Sequence, residues 1–256
     1  MTNGLSLDDR TALITGVSGA IGSRIAATFV DRGARVAGTF RSREAEAADA
    51  LVSAKTGRAA LLHADINSPD SARELWQRAE AWHAIDTLVV NAAVMAPTSL
   101  TDDDNDAWDA GWERSFQVNV LGAATLMREA ARSFSERGYG TIIAISSWAA
   151  EQGSRFPETN AYAASKAALR NFSQTLARSY VRQGVRVYVI APGVVGAGMG
   201  TSGQHPTEIQ ATADGLARGR HVDPQEVAEL SAFLATDRCP SLTGSTIDLN
   251  GASYIR

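Results

Sequence analysis

Thr15-Gly16-Val17-Ser18-Gly19-Ala20-Ile21-Gly22 closes the aliphatic run that starts at Ala12 and opens a segment in which Ile21, Ile25 and Phe29 recur every four residues. Strand, glycine turn, amphipathic helix is the reading that decides the fold. A tight glycine turn lets backbone N–H groups come close to a pyrophosphate, and the helix dipole behind it favours the negative charge. Gly33 is the expected stop of that helix. A glycine cluster in isolation is only a turn. At the head of an alternating chain it predicts a dinucleotide site.

Outward from this turn, short apolar runs alternate with helical stretches: Val36 to Thr39, Ala59 to Leu62, Leu88 to Val90, Ile142 to Ser146, Val185 to Ile190 and Thr246 to Leu249. With Ala12 to Thr15 they make seven candidate strands. Most are continuously apolar, as strands covered on both faces must be, so the expected fold is α/β. Right-handed crossovers give a doubly wound, mostly parallel seven-stranded sheet with helices on both faces, in one domain over residues 1–256. Trp108, Trp112, Phe116 and Val120 form another helical stripe, read as core packing rather than as a platform for a cofactor. The acidic run Asp102 to Asp106 is read as a solvated turn whose charge suits the start of that helix. Residues Gly193 to Gly219 are poor in apolar side chains and read as a long mobile loop, with a short helix around Glu208 to Leu216.

Composition narrows the function. Hydrophobic residues make up 45% and charged residues 20% of 256, the profile of a globular protein, and the net charge of −4 lacks the basic field that attracts nucleic acid or an anionic membrane. No stretch approaches the ~18 apolar residues of a membrane span, and a cytoplasmic location is expected. A single cysteine, Cys239, excludes internal disulfides, and four scattered histidines without ligand spacing give no metal site.

Cofactor preference is read at the end of the second strand, where an acidic residue would bond the ribose 2′-hydroxyl of NAD. The chain has Thr39-Phe40-Arg41-Ser42-Arg43 there instead. Arg41 offers a planar fork suited to a 2′-phosphate and Ser42 a second donor, so NADP is expected over NAD. Surface pairs of Arg41 and Arg43 with Glu44 and Glu46 are the alternative, and they would say nothing about cofactor.

Tyr162-Ala163-Ala164-Ser165-Lys166 places a phenol and an ammonium one helical turn apart on one face. The chain has 22 arginines against two lysines, Lys55 and Lys166, and five tyrosines. Chance therefore predicts only about 0.04 Tyr-x-x-x-Lys pairs. A compact ammonium can approach a phenol and a ribose together, which a bulkier guanidinium does poorly.

With these residues in place the sequence resembles the short-chain dehydrogenase/reductase family over essentially its whole length. The landmarks are the Thr15 to Gly22 turn, Asp65-Ile66, Asn91-Ala92, Asn119, Ser146-Ser147, Tyr162 with Lys166, Pro192-Gly193 and Thr243-Gly244. Departures are Ala20 for the usual middle glycine of the turn, Val90 and Ala93 in the element around Asn91, Tyr188 where asparagine is common, Ala197 where a threonine often stands, and about two extra residues between Ser147 and Tyr162. The resemblance implies a catalytic tetrad of Asn119, Ser147, Tyr162 and Lys166. It also implies a nicotinamide cofactor held by Gly16, Ser18, Ala20, Ile21, Gly22, Arg41, Ser42, Asp65, Ile66, Asn91, Ala92, Tyr162, Lys166, Pro192, Gly193 and Val195. A homotetramer or homodimer is implied as well.

The tetrad's chemistry follows from charge. Reducing a ketone builds negative charge on its oxygen, so a proton donor, Tyr162, and a second hydrogen-bond donor, Ser147, must converge there. In the oxidative direction the phenol must fall from a pKa near 10 by about 3 units, or about 4 kcal/mol. One unit charge at about 4 Å supplies about that much at an effective dielectric of 20, and Lys166 together with the positive nicotinamide ring is expected to provide it. From the resemblance, Asn119 is expected to hold a water that links Lys166 to solvent. A pocket over the carboxyl ends of the strands, with Met95, Ser147, Trp148, Gln152, Phe156 and Met199 as candidate lining, suggests a bulky or apolar carbonyl or alcohol as the small-molecule substrate. An NAD-dependent dehydrogenase and a cofactor-binding regulator without turnover are the competing functions.

Overall fold

The computed structural model describes residues 5–55, 57–101, 104–201 and 203–255. Among them, seven strands form one parallel sheet in the order β3-β2-β1-β4-β5-β6-β7, with β1 Thr11–Ile14, β2 Arg35–Phe40, β3 Ala59–His63, β4 Thr87–Val90, β5 Gly140–Ile145, β6 Val185–Pro192 and β7 Thr246–Leu249. Every pairing is parallel, from Ala12 opposite Val36 to Val189 opposite Thr246. β1, β4 and β5 are buried at every position, which is why their sequences run apolar without alternation. The chain order reverses between β1 and β4, and the crevice at that switch point is where an open α/β sheet binds its ligand.

Helices cover both faces. α1 Ala20–Asp31, α2 Glu44–Asp49 and α9 Pro224–Ala235 lie over a core containing Ile14, Ile25, Phe29, Val36 and Val227. The opposite core, with Leu13, Leu75, Leu88, Leu126, Phe134 and Leu169, lies under α3 Pro69–Trp82, α5 Ala123–Arg137 and α7 Asn160–Tyr180. Burial of these side chains, at about 1.5 to 3 kcal/mol each, drives the three-layer stack. α1 ends at Asp31 with Gly33 at φ +93°, a conformation glycine adopts freely.

One expectation is corrected. Trp108, Trp112 and Phe116, on and at the end of α4 Asn105–Phe116, are half-buried rather than core. They stack on one another instead, with ring centroids 5.6 and 5.5 Å apart. A four-residue stripe places side chains on one face, but it does not say that the sheet lies beneath that face. Of the acidic run, Asp104 caps α4 by accepting from the Ala107 amide at 2.7 Å, and Asp102 and Asp103 lie outside the described residues. The 193–219 stretch holds a short helix where one was expected, near Glu208 to Leu216. It carries a short 3₁₀ turn, Gly198–Gly200, and α8 Pro206–Asp214. Both ends are tied together by Val222 N–H to Val194 O at 2.9 Å and Gly196 N–H to Val222 O at 3.2 Å.

Candidate active site

The glycine turn is shaped by close approach. Gly16 has φ +73°, and a Cβ on Gly22 would fall 2.2 Å from the Gly16 carbonyl oxygen and 2.6 Å from Asn91 Nδ2. Asn91 Nδ2 donates to the carbonyls of Thr15 and Gly16 at 2.9 and 3.2 Å, and the Asn91 and Ala92 amides both donate to Thr15 Oγ1 at 2.9 Å. Thr15 and Asn91 thus stitch β1 to β4 at the switch point, despite Val90 and Ala93 in this element. No side chain caps α1 and its first turn holds no acid, so its leading N–H groups remain available to an anion. Ala20 is accommodated by Gly198, where a Cβ would already sit 3.0 Å from the Ala20 methyl.

A groove of ≈ 480 Å³ runs past this turn, lined by Ser18, Gly19, Ala20, Arg24, Arg43 and Gly198 among others. Arg41, Ser42 and Arg43 are exposed where β2 ends. Among the described residues no ion pair joins Arg41 or Arg43 to Glu44 or Glu46, so the surface-pair alternative has no support. Arg24 and Arg43 were not among the expected cofactor residues. Only the fold, which lays α1 beside the end of β2, turns both toward one groove. This cradle of a glycine turn and an open helix start, with Arg24 and Arg43 beside Glu46 and Asp49 on the groove and Arg41 exposed nearby, fits the diphosphate and 2′-phosphate of a dinucleotide. The residues expected near its other parts stand at the strand ends: Ile66 is buried beside the path of the helix that carries Asn119, and the Gly193 amide donates to Leu249 O at 3.0 Å.

Asn119 sits in a π-helical turn, Gln117–Gly122, between α4 and α5. Such a widened turn re-aims side chains and is common at functional sites. Gly122 lets the helix run against the Ile66 loop, since a Cβ there would be 1.9 Å from Ile66 O. The Asn119 amide is spent on three bonds: Oδ1 accepts from Val94 N–H at 2.8 Å, and Nδ2 donates to Val94 O at 2.8 Å and to Ser165 Oγ at 2.9 Å. Ser165 Oγ in turn donates to the Tyr162 carbonyl at 2.7 Å. Both Nδ2 hydrogens are therefore taken. The side chain fixes the β4 loop to α7. Ser165, fully buried, belongs to this clamp; its place beside Lys166 was visible, but its partner 46 residues away was not.

The two serines at the end of β5 separate by bonding. Ser146 Oγ donates to the Lys166 carbonyl at 3.1 Å and serves α7. Ser147 Oγ accepts only the Ala149 amide, at 3.2 Å, and meets the Tyr162 hydroxyl. The extra residues before Tyr162 form the short helix α6 Ala149–Gln152 and a loop. Of the candidate substrate residues, Trp148 is buried, Met95 and Phe156 are half-buried, and Gln152 and Met199 are exposed.

Lys166 is 2% exposed. Its Nζ donates to Ile145 O at 2.8 Å and lies 5.7 Å from the centre of the Tyr162 ring. Burial lowers the Lys166 ammonium to about 8. Burial also pushes the Tyr162 phenol up to about 12, against the opposing effect of its bond with Ser147. The ammonium faces the ring and a carbonyl, so desolvation dominates, and the chain alone keeps Tyr162 a firm proton donor.

The fold and this arrangement define a class, and comparison with known proteins agrees. A family model described as enoyl-(acyl carrier protein) reductase matches residues 16–251. The chain belongs to the short-chain dehydrogenase/reductase family of oxidoreductases. It is 31% identical to cis-4-hydroxycyclohexanecarboxylate dehydrogenase of Sinomonas cyclohexanicum, over 97% of this chain and 98% of that one. With 3-oxoacyl-[acyl-carrier-protein] reductase FabG of Vibrio harveyi it shares 30% identity over 98% of this chain and all of the relative. A crystal structure of a 3-oxoacyl (acyl-carrier-protein) reductase from Agrobacterium tumefaciens C58 with NADP bound superposes with a TM-score of 0.87 at 28% identity, covering 98% of this chain and 96% of that one. Among the described residues no helix is long and apolar enough to cross a membrane, and no group of histidines, cysteines and acids could hold a metal ion.

Proposed function

We propose that this protein is an NADP(H)-dependent oxidoreductase that interconverts a small-molecule carbonyl and a secondary alcohol, with Tyr162 as the acid/base group. One observation carries the reading: a Tyr162 hydroxyl bonded to Ser147, beside a buried lysine. The solved relative with NADP bound and the FabG relatives support the cofactor, as do the basic residues where an NAD enzyme would carry an acid.

A bound nicotinamide would supply the hydride. Gly16, Ser18, Ala20, Ile21 and Gly22 would hold its diphosphate, Arg41 with Ser42 and Arg43 its 2′-phosphate, and Asp65, Ile66, Asn91, Ala92, Pro192, Gly193 and Val195 would border the rest. As negative charge develops on the substrate oxygen, Ser147 donates a hydrogen bond and Tyr162 transfers its phenolic proton. A phenol held near 12 is protonated throughout the neutral range, which suits reduction. Lys166 holds the ring from its face, and Asn119 positions α7 through Ser165. Self-association into a dimer or tetramer belongs to this reading and is checked by light scattering.

Initial rates of NADPH and NADH oxidation against a panel of cyclic and linear ketones test the proposal. Turnover with NADPH at least tenfold more efficient than with NADH is expected, in line with the worth of one charged contact. Cofactor binding without turnover of any panel member would favour the regulator.

A further inference from the structure

Resting on that reading, we propose that the substrate carries a carboxylate, separated from its reacting carbonyl by an apolar body, and that Arg155 recognises this charge. Trp148, the residue after Ser147, packs with Ala149, Ala163 and Leu216, and Val194 and Tyr254 press against the same cluster. Three parts of the chain therefore meet there: the helix that carries Tyr162, the excursion after β6 and the C-terminal segment. The Arg155 guanidinium lies 5.1 Å from the centre of the Trp148 ring.

The loop that bears Arg155 is pinned. Ser154 Oγ and Thr159 Oγ1 are 2.5 Å apart, the Phe156 amide donates to Ser154 Oγ at 3.0 Å, Thr98 N–H donates to Glu158 O at 2.8 Å, and Asn160 Nδ2 donates to Thr98 O at 2.7 Å. Among the described residues no acceptor or acid engages the Arg155 side chain beyond the ring contact. Glu151, on the same segment, is paired with Arg170. What remains is a stacked guanidinium whose fork of N–H donors is free, at the rim of an apolar cluster next to Ser147.

Stacking fixes the plane of the guanidinium and reduces the freedom lost on binding, so the fork matches a planar carboxylate in bidentate fashion. One cation without a second basic group on the loop suits a single negative charge better than a phosphate dianion.

The test uses NADPH oxidation with 4-oxocyclohexanecarboxylate and its methyl ester, which differ only in the charge. The wild-type protein is expected to favour the acid in kcat/KM by at least about tenfold. Arg155→Gln should bring that ratio close to one, through KM of the acid rather than kcat, and Arg155→Lys should restore part of it. An acid-to-ester ratio unchanged in Arg155→Gln, or a wild-type preference for the ester, overturns the proposal while leaving ketone reduction standing. Failure of the wild type to reduce either compound, or any ketone of the panel, overturns both.

Discussion

Lys166 Nζ donates to the Ile145 carbonyl, 2.8 Å away at the end of β5. An ammonium held in the core by one carbonyl is poorly compensated, and burial lowers it to about 8. The side chain that the active site needs is thus one that the free fold tolerates at a cost.

The sign of that cost is measurable. Between about pH 8 and the unfolded lysine value near 10.5, the unfolded chain binds more protons than the native one, so Lys166 makes stability rise with pH over this window. Burial of Tyr162 works the other way, lowering stability only from about pH 10 to about 12. Lys166→Met should therefore unfold at an equal or higher temperature than wild type at pH 7, with the gap closing by up to about 3 kcal/mol as pH reaches 10. Thermal denaturation across this range checks it, and parallel curves for the two proteins would contradict it.

Asn119 fills three bonds to Val94 and Ser165 in a buried setting. Asn119→Leu leaves the Val94 amide and carbonyl unpaired and should lower stability by about 2 to 4 kcal/mol. Activity should fall with it because α7 is no longer fixed to the β4 loop. Urea unfolding measures the first effect, and a loss under about 0.5 kcal/mol would show that the clamp is dispensable.

Gly22 and Gly19 give a matched pair within one turn. A Cβ on Gly22 meets the Gly16 carbonyl oxygen at 2.2 Å, whereas one on Gly19 comes no closer than 3.4 Å. Gly22→Ala should weaken NADPH binding by more than about tenfold, and Gly19→Ala should change it by less than about threefold. Calorimetric titration of both variants reads the contrast directly; similar affinities would place the phosphates elsewhere.

Much of the fold was legible because the sheet is covered on both faces. Seven short runs, most of them continuously apolar, marked seven strands, within a residue or two at each end. The glycine turn and the Tyr162 and Lys166 pair were legible for a related reason: each packs its geometry into a few consecutive residues. What sequence could not reveal depends on long-range neighbours. Trp112 repeats like a core residue yet stacks on Trp108 and Phe116 at the surface. Arg43 looked like a partner for Glu46, and only the approach of α1 to β2 aims it at the same groove as Arg24. The burial that raises Tyr162 was not legible, because charge proximity can be counted from spacing, whereas desolvation requires knowing what surrounds the pair.

Cofactor choice should follow the exposed arginines at the end of β2. Arg41→Ala should reduce the ratio of NADPH to NADH affinity by at least about tenfold, with a smaller effect for Arg43→Ala. A ratio that survives both substitutions would remove the 2′-phosphate from this corner of the site.

Proton transfer by Tyr162 is the central claim, and Tyr162→Phe tests it most directly because it removes one oxygen and keeps the ring on which Lys166 rests. NADPH affinity by fluorescence titration should stay within about threefold of wild type. Ketone reduction followed in parallel should fall by at least about a hundredfold, the usual worth of a positioned acid. More than a few per cent of wild-type turnover in a variant that still binds NADPH would contradict the account.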